Sequence, residues 1–324
     1  MARILITGAG GFVGSHLAAA CVRRGDDVHV LLRASTGLGR LEPILDRITV
    51  HRLDLGAEPD LVRCLAAIGP DGIYHLASAT RRREDPDLGD AAASVADDVL
   101  PLLGLVRAAA LAPRPPAFLV RAGTLAEYGP VAVPYREDRR EAPAGVYGAS
   151  MLAATHLLAA LQPRLPFPVA TARLALVYGP GQSPEFLIPR MIRDCLDRIP
   201  VTIRHPMDRR DLIHVDDAVA GLLALGDAGL PGPVLVNLCS GVAPTMRAVA
   251  ETLRRIMGAP DSAFLWGADG SASPVPNLRG SPARARRLLG WRCGIGLTRG
   301  LEATVLAFTA ERAAPDPSRA PATR

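Results

Sequence analysis

A glycine-rich turn near the start of the chain constrains its fold more than any other feature. Residues 3–7 (Arg-Ile-Leu-Ile-Thr) are typical of a buried parallel strand, and residues 13–24 are typical of a helix. Between them, Gly8 permits a tight turn, Gly11 lets the backbone approach a pyrophosphate, and Gly14 lets the helix pack on the strand. The helix N-terminus would stabilise the phosphates, so the turn predicts a dinucleotide site. The predicted contacts there are Gly8, Gly11, Phe12, Val13 and Gly14.

Strands and helices alternate along the first half of the chain. This alternation favours an α/β fold of the Rossmann type, in which a doubly wound parallel sheet is joined by right-handed crossovers. We predict strands at 3–7, 27–33, 48–53, 72–76, 117–121 and 168–177, and helices at 13–24, 59–68, 91–111 and 149–161.

The second half of the chain has a less regular pattern, which predicts a smaller C-terminal α/β lobe over the ligand-binding edge of the sheet. We expect a dinucleotide-binding domain at 1–180 and a mainly substrate-binding lobe at 181–311, some of whose elements return to the first domain. The Pro- and Ala-rich end, 312–324, is expected to be disordered. Predicted elements of the lobe are helices at 185–198, 215–225 and 245–257 and strands at 201–204 and 234–238.

The end of the second strand bears on the choice between NAD and NADP. Proteins that select NAD usually carry Asp or Glu there, which bonds the ribose 2′-hydroxyl. This chain has Arg33-Ala34-Ser35 instead, and an arginine attracts a 2′-phosphate. We therefore expect NADP(H) in preference to NAD(H), which stays open. Further predicted cofactor contacts are Ser35, then Asp54 and Leu55 after the third strand, and Leu76, Ala77 and Ser78 after the fourth.

Composition argues against several other classes of protein. All 37 basic residues are Arg, they are spread along the chain, and aromatic residues are only 4%, so the net charge of +5 does not indicate a nucleic-acid surface. No apolar run approaches the ~20 residues of a membrane helix, and the start lacks the features of a signal peptide. The five cysteines have no metal-ligand spacing. We expect a cytoplasmic protein with no metal, nucleic-acid or membrane partner.

Several short motifs in order resemble those of the extended short-chain dehydrogenase/reductase family, the nucleotide-sugar epimerases, dehydratases and reductases. The resemblance covers roughly residues 1–300. It implies a nucleotide-sugar substrate, a homodimer formed through the helices near 91–111 and 149–161, and Tyr147 as the general acid/base, assisted by the hydroxyl of Thr124. The motifs are TGAGGFVG (7–14), HLAS (75–78), AGTLAEYG (122–129), YGAS (147–150), RLALVYGPGQ (173–182) and RRDLIHVDD (209–217), with a weaker echo in RARRLLGW (284–291).

The chain departs from the family pattern at Met151. Four residues after the tyrosine the family has a Lys, which bonds the nicotinamide ribose and lowers the pKa of the phenol. A free phenol titrates near ~10, and without a neighbouring cation it stays protonated at neutral pH. A protonated Tyr147 can act as an acid in ketone reduction but is hindered as a base in alcohol oxidation. Met151 therefore favours reduction.

Other positions narrow the expected chemistry and the substrate contacts. The Asp-Glu pair of the 4,6-dehydratases is replaced by Leu125-Ala126, and Glu127-Tyr128-Gly129 resembles the 4-keto-6-deoxysugar reductases. Leu176 and Asp98 stand where Asn is usual in the family. The predicted substrate contacts are Thr80, Thr124, Arg210 and Arg279, with an ion pair from Arg210 to Asp208 or Asp211 as the alternative.

Three hypotheses follow. The first is NADP(H)-dependent reduction of a ring ketone, commonly at C4, of a nucleotide-activated (deoxy)hexulose, with Tyr147 as proton donor. The second is a nucleotide-sugar epimerase with tightly bound NAD, in which Tyr147 works in both directions. The third, from a different class, is a catalytically weak or non-catalytic dinucleotide-binding protein, which only Met151 favours.

Overall fold

A seven-stranded parallel sheet forms the centre of the chain in the computed structural model, which describes residues 1–80, 85–267 and 273–313. The sheet confirms the predicted Rossmann-type α/β fold, and its strand order is β11-β6-β5-β4-β1-β2-β3. The strands are β1 (Arg3–Thr7), β2 (Asp27–Leu32), β3 (Ile48–Arg52), β4 (Gly72–His75), β5 (Phe118–Thr124), β6 (Val169–Leu174), β7 (Leu176–Tyr178), β8 (Val201–Ile203), β9 (Arg209–Arg210), β10 (Leu212–His214), β11 (Val234–Leu238), β12 (Phe264–Trp266) and β13 (Asn277–Leu278).

Helices cover both faces of the sheet and bury an apolar core against each. On one face α1 and α7 contribute Leu17 and Leu222, and on the other α2, α4 and α5 contribute Leu61, Leu105 and Leu158. The helices are α1 (Phe12–Arg24), α2 (Glu58–Ile68), α3 (Gly89–Ser94), α4 (Leu100–Leu111), α5 (Val146–Leu161), α6 (Leu187–Leu196), α7 (Val215–Asp227), α8 (Met246–Met257), α9 (Ala283–Leu289) and α10 (Leu297–Ala313). Within the described residues, no helix combines the length and apolar character needed to cross a membrane.

The smaller lobe is built from α6, α8, α10 and short parallel strand pairs. β7 pairs with β10, β8 with β12, and β9 with β13. Its own core includes Met191, Val249, Leu253 and Leu301. The lobe lies at the carboxyl ends of the strands, because β7 follows directly after the end of β6 and β10 pairs with β7.

The boundary between the two parts differs from a simple division at residue 180. The predicted strand 168–177 is two strands, since the N–H of Ala175 still bonds the carbonyl of Leu238 on β11 whereas the N–H of Leu176 bonds the carbonyl of Asp211. β6 belongs to the main sheet and β7 to the lobe. Conversely, β11 pairs with β6, and α7 packs against the main sheet, so residues 215–238 return to the first domain. Residues 314–324 of the predicted tail lie outside the described residues; 312 and 313 end α10.

The predicted helix 91–111 is continuous but not uniform. It consists of α3 and α4 joined by a π-helical segment, Val95–Val99, which contains the buried residue Asp98. π-Helical turns commonly occur at functional sites. Helix α5 begins at Val146, three residues before its predicted start, and this places Tyr147 in its first turn.

Candidate functional site

The glycine turn lies where the strand order of the sheet reverses, between β1 and β4. Gly8 adopts φ +75°, and a Cβ there would lie 2.5 Å from the backbone nitrogen of Ala77. A Cβ on Gly14 would lie 2.2 Å from the carbonyl oxygen of Gly8. Helix α1 begins at Phe12 without a side-chain cap, so its first N–H groups are open to an anion. The turn therefore fits the pyrophosphate of a dinucleotide.

Two cavities, of about 740 and 530 Å³, meet at this turn. Gly8, Gly11, Leu76 and Ser78 line both of them. A dinucleotide lying across the turn would therefore place one nucleoside in each cavity, as the switch point of a doubly wound sheet favours. Of the other predicted residues, Arg33, Asp54, Leu55 and Ala77 line the larger cavity, and Phe12, Val13, Gly14, Thr80, Thr124, Tyr147 and Met151 line the smaller.

The loop after β2 is fixed by an arginine that sequence reasoning missed. Arg52 donates from one guanidinium nitrogen to the carbonyl oxygens of Arg33 at 2.9 Å and Thr36 at 2.6 Å. Arg33 is exposed and lines the larger cavity with Thr36. Ser35, a predicted contact, is exposed but does not line this cavity, and Thr36 takes its place.

The predicted catalytic pair meets at the floor of the smaller cavity. Thr124 ends β5 and caps the following turn, its Oγ1 accepting from the N–H of Ala126 at 3.1 Å. Its hydroxyl proton is thus free to be donated, and this hydroxyl is close enough to Tyr147 to lower the pKa of the phenol. Burial, together with the carboxylates of Asp98 and Glu127, raises the pKa of Tyr147 to about 12 against the lowering effect of Arg121 and Thr124. The phenol is protonated at neutral pH.

Met151 lies one helical turn beyond Tyr147 and lines the same cavity. It is only 3% exposed. Its sulfur accepts a hydrogen bond from Arg121 at 3.3 Å and lies 3.7 Å from the oxygen of the Ser78 hydroxyl. The position that holds a Lys in the family is thus occupied by a neutral side chain packed between Arg121 and Ser78.

A buried charge network supports the catalytic pair from below. The Glu127 carboxylate accepts from Arg173 at 2.7 Å, from the Thr155 hydroxyl at 2.9 Å and from the N–H of Thr124 at 3.0 Å. Arg173 also bonds Glu141 at 2.7 Å, and both Glu127 and Arg173 are fully buried. Glu127, the residue that resembles the deoxysugar reductases, therefore positions Thr124 and does not line the cavity.

Asp98, at the position where Asn is usual, lies buried beside the same site. It accepts from the hydroxyls of Ser78 at 2.8 Å and Ser150 at 2.9 Å, and from the N–H of Ala79 at 3.2 Å. It therefore ties the loop after β4 to the first turn of α5.

Two predicted substrate contacts do not reach either cavity. Arg210 donates to Asp208 at 2.6 Å and to the Ser273 hydroxyl at 3.2 Å, which is the ion pair that the sequence left as the alternative. Arg279 is half-buried outside the lining of both cavities. Among the described lining residues of the smaller cavity, the charged one is Arg40, which the sequence analysis did not single out; its Nε donates to the carbonyl of Gly181 at 3.2 Å.

The acidic residues of the RRDLIHVDD motif hold loops together. Asp211 is fully buried and accepts from the N–H and hydroxyl of Ser240 and from the N–H groups of Gly241 and Gly280. Asp217 accepts from the N–H groups of residues 294 and 295. These carboxylates therefore fix loops behind the site, while Leu212 of the same motif lines the smaller cavity.

Comparisons with known proteins agree with this geometry. The NAD dependent epimerase/dehydratase family matches residues 4–239. The chain belongs to this family. It is an enzyme of the extended short-chain dehydrogenase/reductase type, as the motifs had predicted.

Two curated relatives and one solved structure illustrate the range of the family. The chain is 30% identical to UDP-glucose 4-epimerase of Mycolicibacterium smegmatis, over 94% of this chain and 98% of the relative. It is 29% identical to GDP-6-deoxy-D-mannose reductase of Pseudomonas aeruginosa, over 93% and 95%. The structure of MoeE5 in complex with UDP-glucuronic acid and NAD superposes with a TM-score of 0.83 at 27% identity, covering 95% of this chain and 99% of that one.

Proposed function

We propose that this enzyme uses NADPH to reduce the ring ketone, at C4, of a nucleotide-activated deoxyhexulose, with Tyr147 as the proton donor. The observation that carries the proposal is the phenol of Tyr147, whose pKa burial raises to about 12, next to the hydroxyl of Thr124. A phenol that stays protonated is an acid, and ketone reduction needs an acid.

Each residue of the pair has one task in this reaction. Bound NADPH would supply the hydride that forms the new C–H bond at the carbonyl carbon. The Thr124 hydroxyl donates to the ketone oxygen and stabilises the negative charge that develops there. Tyr147 gives its proton to that oxygen, which completes the alcohol and leaves a phenolate that solvent reprotonates.

The preference for NADP is supported by the loop after β2. Arg33 is exposed at the rim of the larger cavity, and Arg52 holds the backbone that carries it. Residues 33–36 contain no carboxylate to accept a bond from a ribose 2′-hydroxyl. A guanidinium here pairs with a 2′-phosphate.

The lining of the smaller cavity is an argument for a substrate that combines a deoxygenated sugar with a phosphate group. They are mainly apolar, and Arg40 provides a cation for a phosphate group. The relative named GDP-6-deoxy-D-mannose reductase agrees with this substrate class. The apolar lining includes Leu174, Ala175, Leu176, Val177, Phe186, Leu187, Ile188 and Leu278.

Cofactor binding and turnover test the proposal together. The purified protein should carry little bound nucleotide, bind NADPH more tightly than NADH, and oxidise NADPH when given a nucleoside-diphosphate 4-keto-6-deoxyhexose. Arg33→Asp should weaken NADPH binding at least ~10-fold while leaving NADH binding near the wild-type value. Equal affinity of the wild type for the two cofactors would contradict the NADP assignment.

An epimerase is the second candidate, because the chain is 30% identical to a UDP-glucose 4-epimerase and resembles a structure that contains NAD. Co-purified NAD, together with interconversion of nucleotide-sugar epimers and no consumption of NADPH, would establish it in place of the reductase. Retained dinucleotide binding with no turnover of either substrate class would instead favour the non-catalytic alternative.

We also propose that the chain forms a homodimer through its long helices. Leu111 and Leu157, on α4 and α5, are exposed by 57% and 38% and line neither cavity. Light scattering after size exclusion should give twice the mass of one chain, and Leu157→Arg should give the mass of a single chain.

A further inference from the structure

Arg121 is a buried cation directly behind the wall of the catalytic cavity. It lies on β5 with only 1% of its surface exposed. Its guanidinium donates to the Thr155 hydroxyl at 2.9 Å, to the Met151 carbonyl at 3.0 Å and to the Met151 sulfur at 3.3 Å. Met151 lines the cavity and Arg121 does not, so one side chain separates the guanidinium from the substrate space.

The partners of Arg121 are neutral, which is unusual for a buried arginine. In the described parts of the chain, no carboxylate lies within ion-pairing distance of its guanidinium. Arg173, which is equally buried, has Glu127 and Glu141 as direct partners. Burial disfavours an unpaired charge, and arginine cannot escape that cost by losing its proton. Arg121 reaches Glu127 only through the Thr155 hydroxyl, which accepts from the guanidinium and donates to the carboxylate, so its charge also acts on its wider surroundings.

Tyr147 is one of the groups within that range. Burial, Asp98 on the π-helical segment and Glu127 after β5 all raise the pKa of Tyr147, whereas Arg121 lowers it. Arg173 is already paired with its two carboxylates. His75 on β4 is buried, and burial lowers its pKa to about 3, so it stays neutral. Among the described groups that act on the phenol, Arg121 is thus the cation that offsets the rise in pKa caused by Asp98 and Glu127.

We propose that Arg121 is a positioning residue for Tyr147, supplying from behind Met151 the positive charge that stabilises the phenolate left when the proton is given to the substrate. The inference rests on the proposed role of Tyr147 as acid. Thr155 and the backbone of α5 fix the direction of the guanidinium. The charge therefore acts on the phenol from the protein side of the cavity wall and does not lie in the cavity itself. A neutral residue at 151 then follows, because a Lys there would place a second positive charge against Arg121.

Two substitutions separate the charge of Arg121 from its hydrogen bonds. Arg121→Gln keeps an amide donor and acceptor for Met151 and Thr155 but removes the charge, whereas Arg121→Lys keeps the charge and loses the planar fork. A matched control is Arg114→Gln, which removes an exposed arginine paired with Asp71 near the amino ends of β4 and β5.

The measurement is a ¹⁹F NMR titration of protein labelled with 3,5-difluorotyrosine, whose phenol is more acidic than that of tyrosine. The resonance of residue 147 is assigned by its loss in Tyr147→Phe. We expect its titration midpoint to rise by about one pH unit or more in Arg121→Gln, and to stay near the wild-type value in Arg121→Lys and Arg114→Gln. An unchanged midpoint in Arg121→Gln, or equal shifts in the Gln and Lys variants, would overturn the inference.

A second pair of variants covers the case in which Arg121→Gln does not fold. Arg121→Met/Met151→Lys is compared with Met151→Lys alone, and loss of the guanidinium should again raise the midpoint by about one unit. Equal midpoints in these two variants would refute the role of Arg121.

The titration needs no turnover, so it separates this inference from the proposed function. A midpoint that shifts as expected, in a protein that reduces no keto sugar, would refute the reductase and retain the electrostatic effect of Arg121 on Tyr147. Full reductase activity with an unchanged midpoint would support the reductase and refute the electrostatic effect of Arg121 on Tyr147.

Discussion

Replacing Met151 by Lys should change the direction in which this site works best. With the pKa of Tyr147 at about 12, only about 10⁻⁴ of the phenol is ionised at pH 8. A lysine ammonium would extend about one atom beyond the methionine methyl into the cavity, next to Tyr147. An opposite charge at such a distance lowers the pKa of the phenol by about 1–3 units, which raises the ionised fraction about 10- to 1000-fold.

The assay is the pH dependence of kcat/KM in both directions. For the wild type, oxidation of the sugar alcohol with NADP⁺ should rise about tenfold per unit between about pH 7 and pH 10 without a plateau, since the required phenolate is still scarce. Reduction should be nearly flat over the same range. Met151→Lys should raise the oxidation rate at pH 8 at least ~10-fold and bring the plateau into view.

Met151→Leu is the matched control, because it keeps an apolar side chain of similar size and adds no charge. Its profiles should follow the wild type. Thermal denaturation should show a lower Tm for Met151→Lys, since Arg121 donates to the Met151 sulfur at 3.3 Å and would repel an ammonium. Wild-type oxidation profiles in folded Met151→Lys, or the same change in Met151→Leu, would refute the account of the missing charge.

Three further predictions concern stability and the glycine turn. Glu127→Gln should lower the free energy of unfolding by about 3 kcal/mol in urea titrations, because it removes a charge partner of the buried Arg173 guanidinium. Arg136→Gln breaks the exposed pair with Asp138 and should lower the free energy of unfolding by under ~1 kcal/mol. Similar losses in the two variants would contradict the buried network. Gly14→Ala should abolish NADPH binding in fluorescence titrations, since its Cβ would lie 2.2 Å from a carbonyl oxygen, whereas Gly37→Ala, whose Cβ meets nothing within 4 Å, should bind normally. The neutral imidazole of His75, whose pKa burial lowers to about 3, contributes stability above its unfolded pKa of ~6.5, and this contribution is lost as the pH falls toward about 3. Acidification from pH 6.5 to 5.5 should therefore destabilise the wild type by about 1 kcal/mol more than His75→Asn. Equal acid sensitivity of the two proteins would contradict the buried neutral imidazole.

Sequence patterns were enough to predict the sheet and the meeting of Tyr147 and Thr124. The turn at Gly8 needs a positive φ, which the glycine pattern predicts locally, whereas its close approach to Ala77 is visible only in the structure. Tyr147 and Thr124 were singled out by the resemblance to the family's motifs, and the structure places both at one cavity. The order of strands and helices up to β6 was also predictable, because strands rich in apolar residues alternate with helical segments.

What the sequence did not show depends on contacts between distant segments. The β6–β7 break arises because the backbone changes its hydrogen-bond partner, from Leu238 at Ala175 to Asp211 at Leu176, which nothing in residues 168–177 reveals. Arg210 resembles a diphosphate-binding arginine in sequence, and only the structure shows that its guanidinium bonds Asp208.

Arg121 was missed for a related reason. An arginine after an apolar run marks the end of a strand in sequence, and the strand was predicted to end there. The structure extends β5 to Thr124, so Arg121 lies inside the sheet, against α5. Its buried position depends on Thr155 and Met151, some thirty residues later in the chain.

The central claim is that Tyr147 donates a proton while the ketone accepts a hydride from NADPH. The most direct test is a reaction of the purified enzyme with [4,4-²H₂]NADPH, which is labelled on both faces of the ring, and a nucleoside-diphosphate 4-keto-6-deoxyhexose, followed by mass spectrometry of the sugar. The account predicts one deuterium at C4 per NADPH oxidised, and loss of this transfer in Tyr147→Phe with NADPH binding retained. Unlabelled product, epimers formed without oxidation of NADPH, or undiminished transfer in Tyr147→Phe would contradict it.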